Sequence, residues 1–374
     1  YMLKFNAQNK FKIMQITDIQ EVPNISPDTL ALLNAAVEAE RPDLVVLTGD
    51  QIKGYGITYK GKGKELEKHV AATIEKIMRP ITDRGIPFAV TFGNHDRQVG
   101  VSNRDQFEDI YKSFPGCVGE QAEEIDGGGT FALPIYSADG KKLVFNLYLI
   151  DSGTDKKGGY EAVTKEQIEW YKKTRDKLIE DNGGKVVPSI VFQHIPLQEY
   201  YHVLKQVKKG TKGAIRAFRI HKNEYYLLGD TCKAGDVLLE PPSIPDENTG
   251  EFDALAEKGD VLAVFVGHDH KNSFVGRYRN VDLGFTQSAG FNEYGNGVHR
   301  GVRVIELDAE TPETYQTHTL EFKDLVGNKL HKPFKDFIFR HSPTCLDAAI
   351  PMIEKALAVL AAIIILIVLL AKLF

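Results

Sequence analysis

Two histidines one residue apart, His268 and His270, close the run Val266-Gly267-His268-Asp269-His270. Residues Val261 to Val266 are strand formers, and on an extended segment alternate side chains point the same way, so both imidazoles can reach one point in space. Neutral imidazole is a common transition-metal ligand, and Gly267 leaves room for close approach of the backbone. Two solvated histidines at a strand end would read the same way, so the pair carries weight only in company.

Other strand-like runs end in similar company. Phe11 to Ile16 leads into Thr17-Asp18-Ile19-Gln20, and Leu44 to Leu47 into Thr48-Gly49-Asp50. Phe88 to Thr91 leads into Phe92-Gly93-Asn94-His95-Asp96, and Ser189 to Phe192 into Gln193-His194. Oxygen and imidazole donors without cysteine suit Mn, Fe or Zn and argue against a structural zinc site. Asp18, Asp50, Asn94, His194, His268 and His270 are more donors than one ion with open positions can use. They are about right for two divalent ions sharing one carboxylate. A pair of ions roughly 3.5–4 Å apart is the arrangement for in-line displacement at phosphorus. His95, beside Asn94, is placed to protonate a leaving alkoxide, and Asp96 to fix its tautomer. Any one Asp after a strand is often only a helix cap; it is the coincidence of all these loops that points to chemistry.

The elements that must position these loops alternate. Helix-like stretches at 28–40 and 64–84 separate the first three strands, a βαβαβ opening that predicts a largely parallel sheet, with ligands at the carboxyl ends of its strands. Gly127-Gly128-Gly129 reads as a tight turn, not a phosphate cradle, because no Lys-Ser/Thr follows it. Strands are predicted at 130–134 and 143–151, and a helix at 165–180. Residues 198–260 read as an insertion forming one wall of a cleft. Runs at 274–278, 281–285 and 302–307 are expected to complete a second sheet. Residues 323–341 mix charge and aromatics without a period and look like a bridge to the tail.

The chain has 374 residues, 26% of them charged, and a net charge of -5 with Lys and Arg dispersed, so nucleic acid is not an expected partner. Its three cysteines, Cys117, Cys232 and Cys345, lie far apart and indicate neither a disulfide framework nor a CxxC site. No apolar h-region precedes the first strand. Ala356 to Ala371 is an unbroken apolar run, and from Ala356 to the last residue a helix would span roughly 30 Å, close to the thickness of a bilayer's hydrocarbon. A buried or self-associating helix is the alternative, but apolarity on every face favours a membrane anchor. Lys323, Lys329, Lys332, Lys335, Arg340 and Lys355 precede the run and only Lys372 follows it, which predicts a cytoplasmic catalytic domain and insertion tail first.

The ordered set TDxQ, GDxx, GNHD, His194 before Ile195-Pro196, and GHDH resembles the calcineurin-like metallophosphoesterase superfamily, in particular its purple-acid-phosphatase-like branch. Leu147 to Gly153, Gln167 to Trp170 and Gly301 to Leu307 look like that branch too, and the likeness runs over about residues 10–310. It implies an α/β four-layer sandwich of two mixed β-sheets flanked by helices, here with a C-terminal apolar helix added. It also implies that Asp18 and His270 bind a first metal, that Asp50 bridges, that Asn94, His194 and His268 bind a second, and that His95 is the general acid. Two positions depart from the pattern. Gln20 stands where the superfamily usually has histidine, and Lys53 where purple acid phosphatases have tyrosine, with Tyr55 two residues further on. An amide oxygen is the weaker ligand, so a loose first site, or one preferring Mn²⁺ or Fe²⁺, is expected.

The expected organisation is a catalytic domain over 1–322, a connecting segment over 323–355 and a transmembrane tail anchor over 356–374. The expected activity is hydrolysis of a small phosphomonoester or phosphodiester by a hydroxide bridging two ions. Arg97 and the 205–212 lysines are candidates for the substrate phosphate. The alternatives are a nucleotide or cyclic-nucleotide phosphodiesterase with a base clamp among Tyr200, Tyr201, Tyr225 and Tyr226, or a membrane-tethered metal-binding scaffold with weak turnover.

Overall fold

The structure, a computed structural model, describes residues 2–344 and 346–371; Tyr1, Cys345 and 372–374, including the cation Lys372, lie outside the described residues. A five-stranded sheet has the order Tyr315–Glu321, Gly301–Asp308, Lys10–Ile16, Leu44–Thr48, Phe88–Thr91. Its last three strands run parallel, and the first two are antiparallel additions. Helices Pro27–Glu40 and Lys64–Thr82 are the crossovers. Pro27 starts the first of them, where a missing N–H costs nothing, and Arg41 ends it in the left-handed conformation. Leu32, Leu33, Val37, Val70 and Ile74 on these two helices are fully buried in one cluster with the sheet.

The second sheet has seven strands, in the order Leu3–Lys4, Phe131–Tyr136, Leu143–Leu149, Ser189–Phe192, Val261–Val266, Val281–Phe285, Phe274–Tyr278. Strands from Leu143–Leu149 through Val281–Phe285 are mutually parallel. Phe145, Ile190, Phe192 and Phe265 from this sheet share the core of Ile13, Val45 and Phe88 from the first, so the sheets pack face to face. A second cluster covers the outer face with Ile168, Trp170 and Tyr171 of helix Lys165–Asp181 and with Tyr200 and Phe252. That helix opens with a reciprocal capping box between Thr164 and Gln167. The result is the expected helix, sheet, sheet, helix sandwich.

One expectation is corrected and three details are added. Gly301–Asp308 does not complete the second sheet; it pairs antiparallel with Lys10–Ile16 in the first. Its partner Tyr315–Glu321 was missed because a half-exposed edge strand, YQTHTLE, carries little apolar signal. The insertion has a sheet of its own, Leu204–Val207, Tyr225–Leu228 and Ile215–Arg216. The connecting segment holds helices Phe322–Leu325 and Pro333–His341, and the last helix starts at Leu346, well before the apolar run. Ala348–Leu370 in that helix is long and apolar enough to cross a membrane by length and composition, and none of it is buried.

Candidate metal centre

Because both sheets send parallel strands the same way, the loops after Ile16, Thr48, Thr91, Phe192 and Val266 meet at one edge. His194 Nε2 lies 3.3 Å from Asp50 Oδ2 and 3.9 Å from Asp18 Oδ1. His270 Nε2 lies 3.3 Å from Asp18 Oδ1, and His268 Nδ1 lies 3.3 Å from His194 Nε2. Ligand atoms of Asp18, Asp50 and His194 fall within 4.8 Å of one another, a group able to hold a metal ion. The strand ends at Val266, so the two histidines do not lie on an extended segment as the alternation predicted. His268 instead takes a left-handed φ of 73°, and a turn delivers both rings. Asp18 and Asp50 also have positive φ, 51° and 54°, conformations that cost on the order of 1–3 kcal/mol each and recur at functional sites. Two glycines make the close approach possible. A Cβ on Gly93 would lie 2.2 Å from Asp50 Oδ1, and one on Gly267 only 1.9 Å from Thr17 Oγ1.

The buried polar atoms of the site fit a metal ion. Asp18 Oδ1, Gln20 Oε1, Asn94 Oδ1 and His268 Nε2 are buried with no hydrogen-bond partner, although buried polar atoms are nearly always paired. Other atoms of four candidate ligands, His194, His270, Asp18 and Asp50, are held by protein partners. His194 Nδ1 lies 2.9 Å from the Thr48 carbonyl and His270 Nδ1 2.7 Å from the Tyr294 carbonyl, which protonates Nδ1 and leaves Nε2 as the donor. Asp18 Oδ2 accepts from Thr17 Oγ1 at 2.8 Å and from the His268 N–H at 2.9 Å. Asp50 Oδ1 accepts from the His95 N–H at 2.9 Å. Burial alone would raise the Asp50 carboxyl, but the imidazoles of His194 and His95 hold it well below the usual range. Burial lowers His194, yet Asp50 and Asp18 prevail and push it up to about 10. A proton is held there by the same field that attracts a cation.

Gln20 reaches the site through its amide nitrogen, which donates to Asp50 Oδ2 at 2.8 Å; its orphaned Oε1 remains. His95 has its ring a quarter exposed at the mouth, with Nε2 3.9 Å from Asp50 Oδ2. Asp96 makes no contact with that ring, and the expectation that it fixes the tautomer is corrected. Its oxygens accept four backbone N–H groups, from Asp50, Gly93, Gln51 and Ile52, so it pins two ligand loops together. Gln98 does what was expected of Asp96, with Oε1 2.8 Å from His95 Nδ1. Asp155 then holds two amides, accepting from Asn94 Nδ2 at 2.9 Å and from Gln98 Nε2 at 2.5 Å. Nothing in the sequence around Asp155 marks it.

The candidate phosphate-binding cations do not line the cavity at this edge. Arg97 is half exposed and 3.5 Å from Glu161, Lys205 pairs with Asp230, and Lys209 with Glu354. Nor do the four candidate clamp tyrosines line the site. Tyr200 is fully buried, donating to the Val264 and Gly284 carbonyls, and Tyr201 donates to that of Pro242. Tyr225 and Tyr226 lie in the insertion's own sheet. The aromatic walls of the roughly 120 Å³ cavity over the donors are Tyr55, Tyr160 and Tyr294. Tyr55 packs 4.4 Å from the His95 ring, Tyr160 stands edge-on at 4.4 Å from His268, and Tyr294 stacks at 4.0 Å on His270. Lys53 turns away to pair with Glu293. Thr344, from the connecting segment, also lines the cavity.

A sequence profile described as calcineurin-like phosphoesterase matches residues 11–272, which span all six donors. The chain is 28% identical over 342 residues to a protein named probable inactive purple acid phosphatase 29 from Arabidopsis thaliana, covering 82% of this chain and 79% of that one. It is 27% identical over 300 residues to Phosphatase DCR2 of Saccharomyces cerevisiae, covering 73% and 46% respectively. Among solved structures, a dimetal phosphatase from Danio rerio superposes with a TM-score of 0.45 at 11% identity, over 83% of this chain and 99% of that one. By the match over residues 11–272, the chain belongs to the calcineurin-like phosphoesterase family.

Proposed function

We propose that the chain is a metal-dependent phosphoesterase acting on a small phosphomonoester or phosphodiester. The observation that carries this reading is the group formed by Asp18, Asp50 and His194, whose ligand atoms lie within 4.8 Å of one another, together with the buried, unpartnered atoms Asp18 Oδ1, Gln20 Oε1, Asn94 Oδ1 and His268 Nε2. Asp18 and His270 would hold one divalent transition-metal ion (Mn, Fe or Zn), Asn94, His194 and His268 the other, and Asp50 both. When bound, such a pair activates water for attack and offsets charge on the phosphoryl oxygens. His95 is the general acid in this reading. Gln98 keeps the proton on Nδ1, so Nε2 takes up a second proton and gives it to the leaving oxygen. Tyr55 and Tyr160 line the cavity beside His95 and His268.

A second reading, a metal-binding scaffold with weak turnover, is favoured by the amide at Gln20 and is in keeping with the word inactive in the Arabidopsis relative's name. One comparison separates the two. Protein reconstituted with Mn²⁺, Zn²⁺ or Fe²⁺ is assayed on p-nitrophenyl phosphate and its bis ester beside Asp50→Asn, with bound metal counted in each. Hydrolysis that follows metal content supports the enzyme. Full occupancy with turnover no faster than the variant's supports the scaffold.

We propose further that the helix containing Ala348–Leu370 anchors the chain in a membrane. The cations Lys323, Lys329, Lys332, Lys335, Arg340 and Lys355 on the domain's side of it favour a cytoplasmic position for the catalytic domain.

A further inference from the structure

The insertion's small sheet and the apolar helix touch. Lys209 Nζ lies 2.8 Å and 3.0 Å from the two carboxylate oxygens of Glu354, and the helix runs against strand Ile215–Arg216. Glu354 precedes Ala356 by two residues, a rise of roughly 3 Å along a helix. If the apolar run fills the hydrocarbon, Glu354 lies at its boundary, and Lys209 lies there with it. The segment carrying Lys209 suits that level. Between Leu204 and Asn223 there is no Asp or Glu, and Lys205, Lys208, Lys209 and Lys212 are all exposed. Among the described residues, the acids within ion-pair distance of these lysines are Glu354, held by Lys209, and Asp230, 3.7 Å from Lys205. Lys208 and Lys212 flank the turn with no carboxylate within ion-pair distance among the described residues.

We propose that the segment 204–214 is a second membrane contact, lying on anionic phospholipid headgroups beside the root of the helix. This rests on the membrane reading of the helix and is independent of the catalytic one. Lysines at headgroup level gain from the negative surface potential of an anionic leaflet, and the gain falls away as salt screens it. With one contact at the helix and another at this segment, the domain would be held in a set orientation instead of swinging on its tether.

The test uses the full chain in lipid nanodiscs of phosphatidylcholine with and without phosphatidylserine, reading backbone amide exchange across 204–214. Exchange should be slower by roughly tenfold or more in the anionic discs, and high salt should remove the difference. The double variant Lys208→Gln/Lys212→Gln keeps the Lys209–Glu354 pair. It should lose the lipid dependence and hydrolyse phosphoesters as the parent does. Incorporation into both discs with equal exchange overturns the headgroup contact and leaves the anchor standing. Failure of the chain to enter discs of either kind overturns both.

Discussion

His95 Nδ1 lies 2.8 Å from Gln98 Oε1. Because the Gln98 nitrogen is committed to Asp155, the oxygen is the atom presented to the ring, and the imidazole is held with Nδ1 protonated and Nε2 toward the cavity. If Nε2 delivers the leaving-group proton, His95→Asn should lower turnover about 10²–10⁴-fold on alkyl phosphates. Nitrophenyl phosphate, whose leaving group needs little protonation, should lose far less. Equal losses on both would remove His95 from that role. Gln98→Ala should lose less than His95→Asn, with the alkyl substrates again suffering more.

Asp155 reaches both the Asn94 and the Gln98 amide, so Asp155→Ala should let Asn94 rotate and turn its nitrogen inward. A loss of about 10–100-fold in metal affinity is expected, with the melting temperature nearly unchanged, since Asp155 is exposed on a two-residue strand. Unaltered metal binding in a titration with Mn²⁺ and Zn²⁺ would show that Asn94 is held by other means.

Gln20→His should tighten the first metal position and move preference toward Zn²⁺, because imidazole is a better zinc ligand than an amide oxygen. It also removes the amide donor to Asp50 Oδ2. If competition between Zn²⁺ and Mn²⁺ comes out as in the parent, Gln20 orients Asp50 and is no ligand itself.

The connecting segment is bound across the site. His331 Nδ1 lies 2.6 Å from Asp28 Oδ1, and Lys335 donates to the Asn292 carbonyl at 3.0 Å. Lys271, next to His270, donates to the carbonyls of Arg340 at 3.1 Å and Ser342 at 3.2 Å. A chain ending at residue 355 should therefore be soluble and as active as the whole. One ending at residue 330 should have a raised KM and a less stable fold, because Thr344 and the partners of Lys271 are gone. Identical kinetics in the two truncations would show that the segment is only a tether.

Glu251 is buried, and its Oε1 has no hydrogen-bond partner. Burial first, and Glu199 second, push its carboxyl from 4.5 up to about 8. The folded state therefore holds this proton more tightly than the unfolded chain does. The stability it contributes is complete below about pH 4.5 and is lost as pH rises toward 8, a change on the order of a few kcal/mol. Glu251→Gln should flatten this dependence, so urea midpoints of parent and variant should agree near pH 5 and diverge by pH 8.5 in the variant's favour. Parallel curves would show that Glu251 is solvated.

The six candidate donors and their order could be read from the sequence because each sits at the end of an apolar strand run beside a glycine or a turn, and those signals are local. The βαβαβ opening was legible for the same reason: buried parallel strands and amphipathic crossovers leave periodic patterns. Strand Tyr315–Glu321 left none, since an edge exposed on one side needs few apolar residues. The assignment of Gly301–Asp308 to the first sheet is a pairing between residues at opposite ends of the chain, which periodicity cannot express. The residues around the donors were hidden in the same way. Asp155 comes to Asn94 from 61 positions away, and Tyr294 presents a backbone carbonyl to His270, a contact in which its side-chain identity plays no part. Asp96 was misread because adjacency in sequence suggested a contact with His95, whereas its carboxylate is turned into the loop and used up by four backbone N–H groups. Sequence alone thus determined which side chains could bind metal. Tertiary structure decided which atoms of them remain unsatisfied, and that depends on partners brought together only when the two sheets close on each other.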